Sequence, residues 1–374
     1  MKKVLSISKE ALFISLVLLL AVSVFVIGCA PPAQAPDPAP APAPAPAPAT
    51  VEPIELTWSI PWPAVHFVNA EQIPAWAAEL EERTGGRVKI TIHHGGTLLG
   101  QAETFDGVVG GIADIGITTF AITPGRFPLM SLVELPGMGN NNGVVTSLVA
   151  MEIYRKFNPA ELHGVKVLNV HGTPPDVLYT QRPVRTLEDL KGMEIRSRGG
   201  VATPLLERLG AVPVGMPMPE SYLALERGIV EGIANPLSSL RDWRLAEVTD
   251  YVTITPPLYN LLFYVVMNLD TWNALPPDIQ KIFDEVSEEQ VKKGGEIWDK
   301  NEVTALDWAI KEHGIEVIRL SPEESARWTE IIDQVREEVV AETEAKGLPA
   351  REVYDEILRL VEKYNKLYPH VAGT

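Results

Sequence analysis

Between Tyr179 and Pro236 the chain is punctuated every few residues, and no long element fits between the stops. Thr186, with Asp189 three residues on, can cap the first turn of a helix, and Gly192 offers a left-handed exit from it. Met193-Glu-Ile-Arg196 then alternates as a strand does, Gly199-Gly200 ends it, and a second helix from Ala202 to Leu209 stops at Gly210. A third helix runs into Gly228 and is followed by Glu231-Gly-Ile-Ala-Asn235-Pro236. The stretch therefore reads as short helices alternating with short strands. Arg196 falls at or near a strand's C-terminal end, where open α/β sheets form their ligand crevice.

The same step occurs once upstream. Phe105-Asp-Gly-Val-Val-Gly-Gly111-Ile-Ala-Asp114-Ile-Gly-Ile117 echoes Leu223-Ala-Leu-Glu-Arg-Gly228-Ile-Val-Glu231-Gly-Ile233 about 117 residues later, which predicts two similarly built lobes. Leu56 to Ile60 alternates as a strand, Ile73, Trp76, Ala77 and Leu80 mark one face of a helix, and Val88 to His93 alternates again, the opening of a parallel α/β sheet. Pro136 to Gly143 is a near miss to a dinucleotide fingerprint, with one residue too many before the last glycine; Asn140 to Asn142 read better as caps of a helix from Val144 to Phe157. A strand from Val165 to Val170 leaves through Gly172-Thr-Pro-Pro175, taken as the first crossing between lobes, and the apolar strand Leu261 to Asn268 returns. A long helix from Pro276-Pro-Asp278 to about Lys311, a strand from Ile315 to Leu320, a capping box at Ser321-Pro-Glu-Glu324 and helices over 322–346 and 350–367 complete the chain.

Taken in order, Glu188-Asp-Leu-Lys-Gly192, Ile195-Arg196, Leu209-Gly-Ala211, Tyr222-Leu-Ala-Leu225, Gly228-Ile-Val-Glu-Gly232 and Asn235-Pro236 make the chain resemble the substrate-binding subunits of tripartite ATP-independent periplasmic (TRAP) transporters, of the DctP type, over about Glu52 to Tyr368. The resemblance implies a two-lobed α/β fold like that of periplasmic binding proteins, with a ligand cleft between the lobes and a long helix spanning both. On this reading residues 52–173 and 261–300 form the first lobe, 174–260 and 301–368 the second, and 369–374 a tail. It further implies a binding protein and not an enzyme, with no cofactor. The cleft closes on a small organic acid, which is passed to membrane permease subunits driven by an ion gradient.

Residues 1–28 carry Lys2, Lys3 and Lys9, an apolar run from Ala11 to Ile27 and the sequence Val26-Ile-Gly-Cys29, which reads as an export signal ending in a lipoprotein cleavage box. Cys29 is the only cysteine, so no intramolecular disulfide forms, and acylation of its thiol accounts for it. An uncleaved membrane anchor is the alternative, since 17 apolar-run residues are barely enough to span. Either way the chain is tethered outside the cytoplasmic membrane, in a periplasmic or extracytoplasmic location. Residues 29–51 are the lipidated cysteine and an Ala/Pro linker, in which Ala30 to Thr50 holds nine prolines, mostly in Ala-Pro alternation, a polyproline spacer whose 21 residues reach roughly 60 Å at about 3.1 Å per residue.

The formal charge of −17 becomes −19 once Lys2, Lys3, Lys9 and Glu10 are removed with the signal, which argues against nucleic acid and against anionic lipid as partners. Contact with the membrane is then through the lipid anchor alone, and an anion site has to be a local positive pocket. Nucleophile-elbow, zincin and phosphate-loop motifs are absent. His93 and His94, adjacent on a strand, point to opposite faces, one buried and one solvated, and do not share a metal. The rivals to a TRAP binding protein are a binding protein of an ATP-driven importer or sensor, and an exported lipoprotein enzyme.

A guanidinium offers a planar fork that matches a carboxylate with two parallel hydrogen bonds. By resemblance, Arg196 in Lys191-Gly-Met-Glu-Ile-Arg196 is the arginine that holds the substrate carboxylate, and Asn235 before Pro236 adds an amide that both donates and accepts. Trp62, Thr119, Met218 and Tyr259 are further ligand-wall candidates by position in the family pattern. Relatives that take diacids or acidic sugars tend to carry a second basic residue where this chain has Asp176-Val-Leu-Tyr179, so the expected ligand is a monocarboxylate with an apolar or aromatic body.

Overall fold

The computed structural model describes residues 52–369. The export signal, Cys29 and the whole of the linker, all within 1–51, together with 370–374 of the tail, lie outside the described residues.

Strands β1 (Ile54–Ser59) and β2 (Val88–His93) pair in parallel from Ile54↔Val88 to Ser59↔His93. Between them runs α1 (Ile73–Arg83), which buries Ile73, Trp76, Ala77 and Leu80, the stripe that the helical spacing marks out. Helix α2 (Thr104–Val109) feeds β3 (Ile115–Thr119), parallel to β1, and α3 (Gly143–Phe157) feeds β4 (Val165–Gly172). The α3 start is capped by Asn142, whose side chain accepts from the Val145 N–H at 2.8 Å.

The chain then crosses to a second sheet of short elements: β5 (Val177–Thr180), α4 (Leu187–Leu190), β6 (Glu194–Ser197), α5 (Ala202–Arg208), β7 (Val212–Gly215), α6 (Ser221–Glu226), β8 (Gly232–Asn235), α7 (Ser239–Asp242) and β9 (Tyr251–Ile254). The capping box at Thr186 and Asp189 forms, and Gly192 takes φ +74°, a conformation that a β-carbon disfavours. Returning, β10 (Leu262–Asn268), buried throughout, inserts between β3 and β4; α8 (Leu269–Ala274) and α9 (Pro277–His313) follow, then β11 (Glu316–Arg319), α10 (Pro322–Ala345) and α11 (Ala350–Leu367).

Strand order is β2-β1-β3-β10-β4 in one sheet and β11-β9-β5-β8-β6-β7 in the other. Each sheet has one strand antiparallel to both neighbours, β10 in the first and β5 in the second. In both cases it is the strand laid down directly after a crossing. The two echoed units occupy matching places: α2, Gly111 and β3 in one lobe, and α6, Gly228 and β8 in the other.

Each sheet is covered on both faces, giving a separate core on either side. Helix α9, 37 residues and about 55 Å long at 1.5 Å per residue, links the lobes. Its Ile279, Phe283 and Val286 pack with Trp58, Trp76 and Phe263 of the first lobe, and its Leu306 and Ala309 with Tyr179 and Ile233 of the second. Gly295 lies midway along it, where a β-carbon would come within 2.5 Å of the Val144 backbone; the gap lets the start of α3 lie directly on α9.

The expected assignment of 301–368 to the second lobe needs correction at its end. Val353, Tyr354, Ile357 and Leu360 of α11 share a core with Val145, Val149 and Tyr264 of the first lobe. An amphipathic helix declares which face it buries but not which partner covers that face. His93 and His94 are both half-buried, where one buried and one solvated ring was expected.

Candidate functional site

The turn after β1 is the first wall. Asn69 Nδ2 donates to the Pro63 carbonyl at 2.9 Å and also reaches the Trp62 carbonyl, which fixes the Pro-Trp-Pro bend and aims Trp62 inward. Trp62 meets Phe263 edge-on at 5.3 Å, and Phe263 stacks on Trp298 of α9 at 5.2 Å. His66 stacks on Phe67 and meets Trp243 at 5.7 Å; its Nδ1 accepts from the Val68 N–H, and burial drops its pKa to about 3, so it is a neutral ring. Thr119 ends β3 and pairs across the ladder with Phe263.

The second lobe supplies the polar wall. Arg196 sits in β6 between Val214 of β7 and Ile233 of β8, only 4% exposed. Its Nε donates to the Met216 carbonyl at 3.1 Å, and among the described residues no carboxylate forms an ion pair with it. Burial lowers its pKa to about 10, which still leaves it charged at neutral pH. Asn235, at the end of β8, donates to Ser239 Oγ at 2.5 Å and leans on the Met218 sulfur at 3.8 Å.

These groups line one cavity, with about 510 Å³ of non-atom space that includes its opening to solvent. Of the residues expected from the sequence, Trp62, Thr119, Arg196, Met218 and Asn235 all line it. Tyr259 does not; it lies buried behind the wall, with the Arg198 guanidinium 4.7 Å from its ring centre. Sequence reasoning passed over His66, Trp243, Phe263, Trp298 and Arg198, all in the wall. Arg198 was within reach of it, because residues two apart on an extended strand share a face and Ile195-Arg196-Ser197-Arg198 has that spacing. Trp298 was not, since only the path of α9 brings it there.

The cavity can hold an anion against a buried cation and press a flat apolar body between rings. Its histidine is neutral and its serine hydroxyl already accepts from Asn235.

The bacterial extracellular solute-binding protein family 7, DctP, matches residues 63–343 of the chain. Among solved structures, a TRAP periplasmic solute-binding protein from Desulfovibrio salexigens is 35% identical, with 83% of this chain and 96% of that one covered and a TM-score of 0.74. A marine metagenome TRAP solute-binding protein specific for aromatic acid ligands, solved with metahydroxyphenylacetate, is 28% identical over 83% of this chain and 99% of that one, with a TM-score of 0.80. The 2,3-diketo-L-gulonate-binding periplasmic protein of Escherichia coli K12 is 26% identical over 242 residues, 64% of this chain and 73% of the relative.

Proposed function

This chain belongs to family 7 of the bacterial extracellular solute-binding proteins, and we propose that it binds an organic acid with one carboxylate and an apolar or aromatic body and delivers it to a TRAP membrane permease. The observation that carries the reading is Arg196, a buried guanidinium with no acidic partner among the described residues, in a cavity that also presents the rings of Trp62, His66, Trp243, Phe263 and Trp298. A ligand carboxylate supplies the missing counter-charge, and Asn235 turns its amide to the same anion. The ligand body packs among Trp62, Phe263 and Trp298.

Magnitudes favour this division of labour. A charge-assisted hydrogen bond contributes about 1.5–3 kcal/mol, and micromolar binding needs about 8 kcal/mol, so the apolar walls supply much of the remainder. The similar metagenome protein is specific for aromatic acids, which supports the choice of ligand body.

The cavity draws its walls from both lobes, and closure of the lobes over the acid is the working step, with no bond made or broken. The lobes are 52–173 with 261–300 and 174–260 with 301–349, the last helix riding with the first lobe. Acylated Cys29 and the proline-rich spacer hold the protein at the membrane within reach of the permease.

The test is calorimetry of the full chain in detergent with benzoate, phenylacetate, mandelate, succinate and a sialic acid, followed by chromatography of the recovered ligand. Aromatic monoacids bind and come back unaltered, and Arg196→Ala weakens them at least tenfold. Binding of succinate or sialic acid alone, or a chemically altered ligand, overturns the reading.

A further inference from the structure

Arg196 shares the cavity wall with a second guanidinium. Arg198 lines the same space, and its side chain is 7% exposed. Unlike Arg196 it is paired: Nη2 of Arg198 meets Oδ2 of Asp176, whose side chain is fully buried at the first crossing. Tyr259, from the second crossing, covers the guanidinium with its ring. The Glu134 carboxyl also faces Arg198 electrostatically; burial pushes it up to about 7, and one of its oxygens accepts from the Leu262 N–H at 2.9 Å. No aspartate or glutamate is among the residues that line the cavity itself. The wall therefore carries two cations, one of them already neutralised from behind.

We propose that Asp176 sets the charge that the cavity shows to a ligand: by holding Arg198 in a buried ion pair it leaves Arg196 as the single available cation, and so selects acids with one carboxylate over acids with two. The inference rests on the proposed function of the site and names the element that rejects diacids. A second ligand carboxylate would have to shed its water beside an ion pair of no net charge, with Asp176 as a like-charged competitor for the same guanidinium. Specificity built by such a repulsive element is a difference of affinities, and removing it admits the excluded ligand. With the Asp176 charge gone, the planar fork of Arg198 is free to take a carboxylate.

The test compares benzoate with isophthalate, one ring bearing one or two carboxylates, by calorimetry on the full chain in detergent. The wild type holds benzoate at least about tenfold tighter. Asp176→Asn raises isophthalate affinity by about tenfold or more while benzoate changes by less than about threefold. A wild type that holds isophthalate as tightly as benzoate overturns the proposal, and so does an Asp176→Asn chain whose preference is unchanged while Arg196→Ala still abolishes benzoate binding. Failure of the wild type to bind any acid instead removes the proposed function itself. Should Asp176→Asn not fold, Asp176→Ser removes the same charge without adding volume: a rise in isophthalate affinity of about tenfold or more supports the proposal, and an unchanged preference for benzoate overturns it.

Discussion

The hydroxyl of Tyr179 donates to the backbone carbonyl of Asn235 at 2.5 Å, and the carbonyl of Pro236 lies on the same hydroxyl. This contact pins the two ends of the most heavily punctuated stretch of the chain together beside the cavity. Tyr179→Phe leaves both buried carbonyls without that donor, which costs about 1–3 kcal/mol and frees the Asn-Pro turn. Urea denaturation measures it. A variant with the wild-type midpoint and slope would mean that the turn is held by the β5–β8 ladder alone.

Gly295 and Val144 make a close backbone approach. A β-carbon on Gly295 would stand 2.5 Å from Val144 N, whereas one on Gly215 would meet nothing within 4 Å. Gly295→Ala therefore destabilises the chain by about 1–3 kcal/mol through overpacking, and Gly215→Ala is nearly silent. Thermal melting of the two variants side by side separates a specific contact from a general intolerance of the fold to side-chain additions.

Glu134 predicts the sign of a pH effect. Its carboxyl, pushed up to about 7 by burial, holds a proton in the folded state that the unfolded chain, near 4.5, has already released. Stability from this group is thus present below about 4.5 and declines as pH rises to about 7. Glu302, pushed up to about 8, acts in the same direction, while His66 and His171, both lowered to about 3, cost stability as pH falls below 6.5. Glu134→Gln keeps an acceptor for the Leu262 N–H and removes the proton. The wild-type minus variant difference in unfolding free energy should therefore shrink between pH 5 and 7, by roughly 1–3 kcal/mol. A pH-independent difference would show that the carboxyl titrates normally.

Phe263 touches both Trp62 and Trp298. Phe263→Leu keeps most of the volume and loses the ring face, so benzoate should weaken by about 0.5–1.5 kcal/mol while cyclohexanecarboxylate changes little. Equal losses for the two acids would assign the wall to shape alone.

Local punctuation made much of this fold legible. Thr186 with Asp189, Asn142, Ser321 with Glu324, and Gly192 all cap or end helices as their residue types demand. The echo of Gly111 in Gly228 foretold two comparable lobes, and motif order brought Arg196 and Asn235 to one cavity. What stayed hidden depends on tertiary path. Trp298 enters the cavity because α9 passes behind Phe263, and α11 joins the first lobe because α3 offers it an apolar face. Asp176 read as a missing cation; only the fold reveals that it faces Arg198.

The most direct measurement is native mass spectrometry of the full chain, exported by its host and purified in detergent without denaturation, alongside Arg196→Ala. A small organic acid of unchanged mass carried by the wild type and absent from the variant is the predicted result. An acid retained equally by both proteins, or no bound mass and no thermal shift with any acid in either, would contradict the central role given to Arg196.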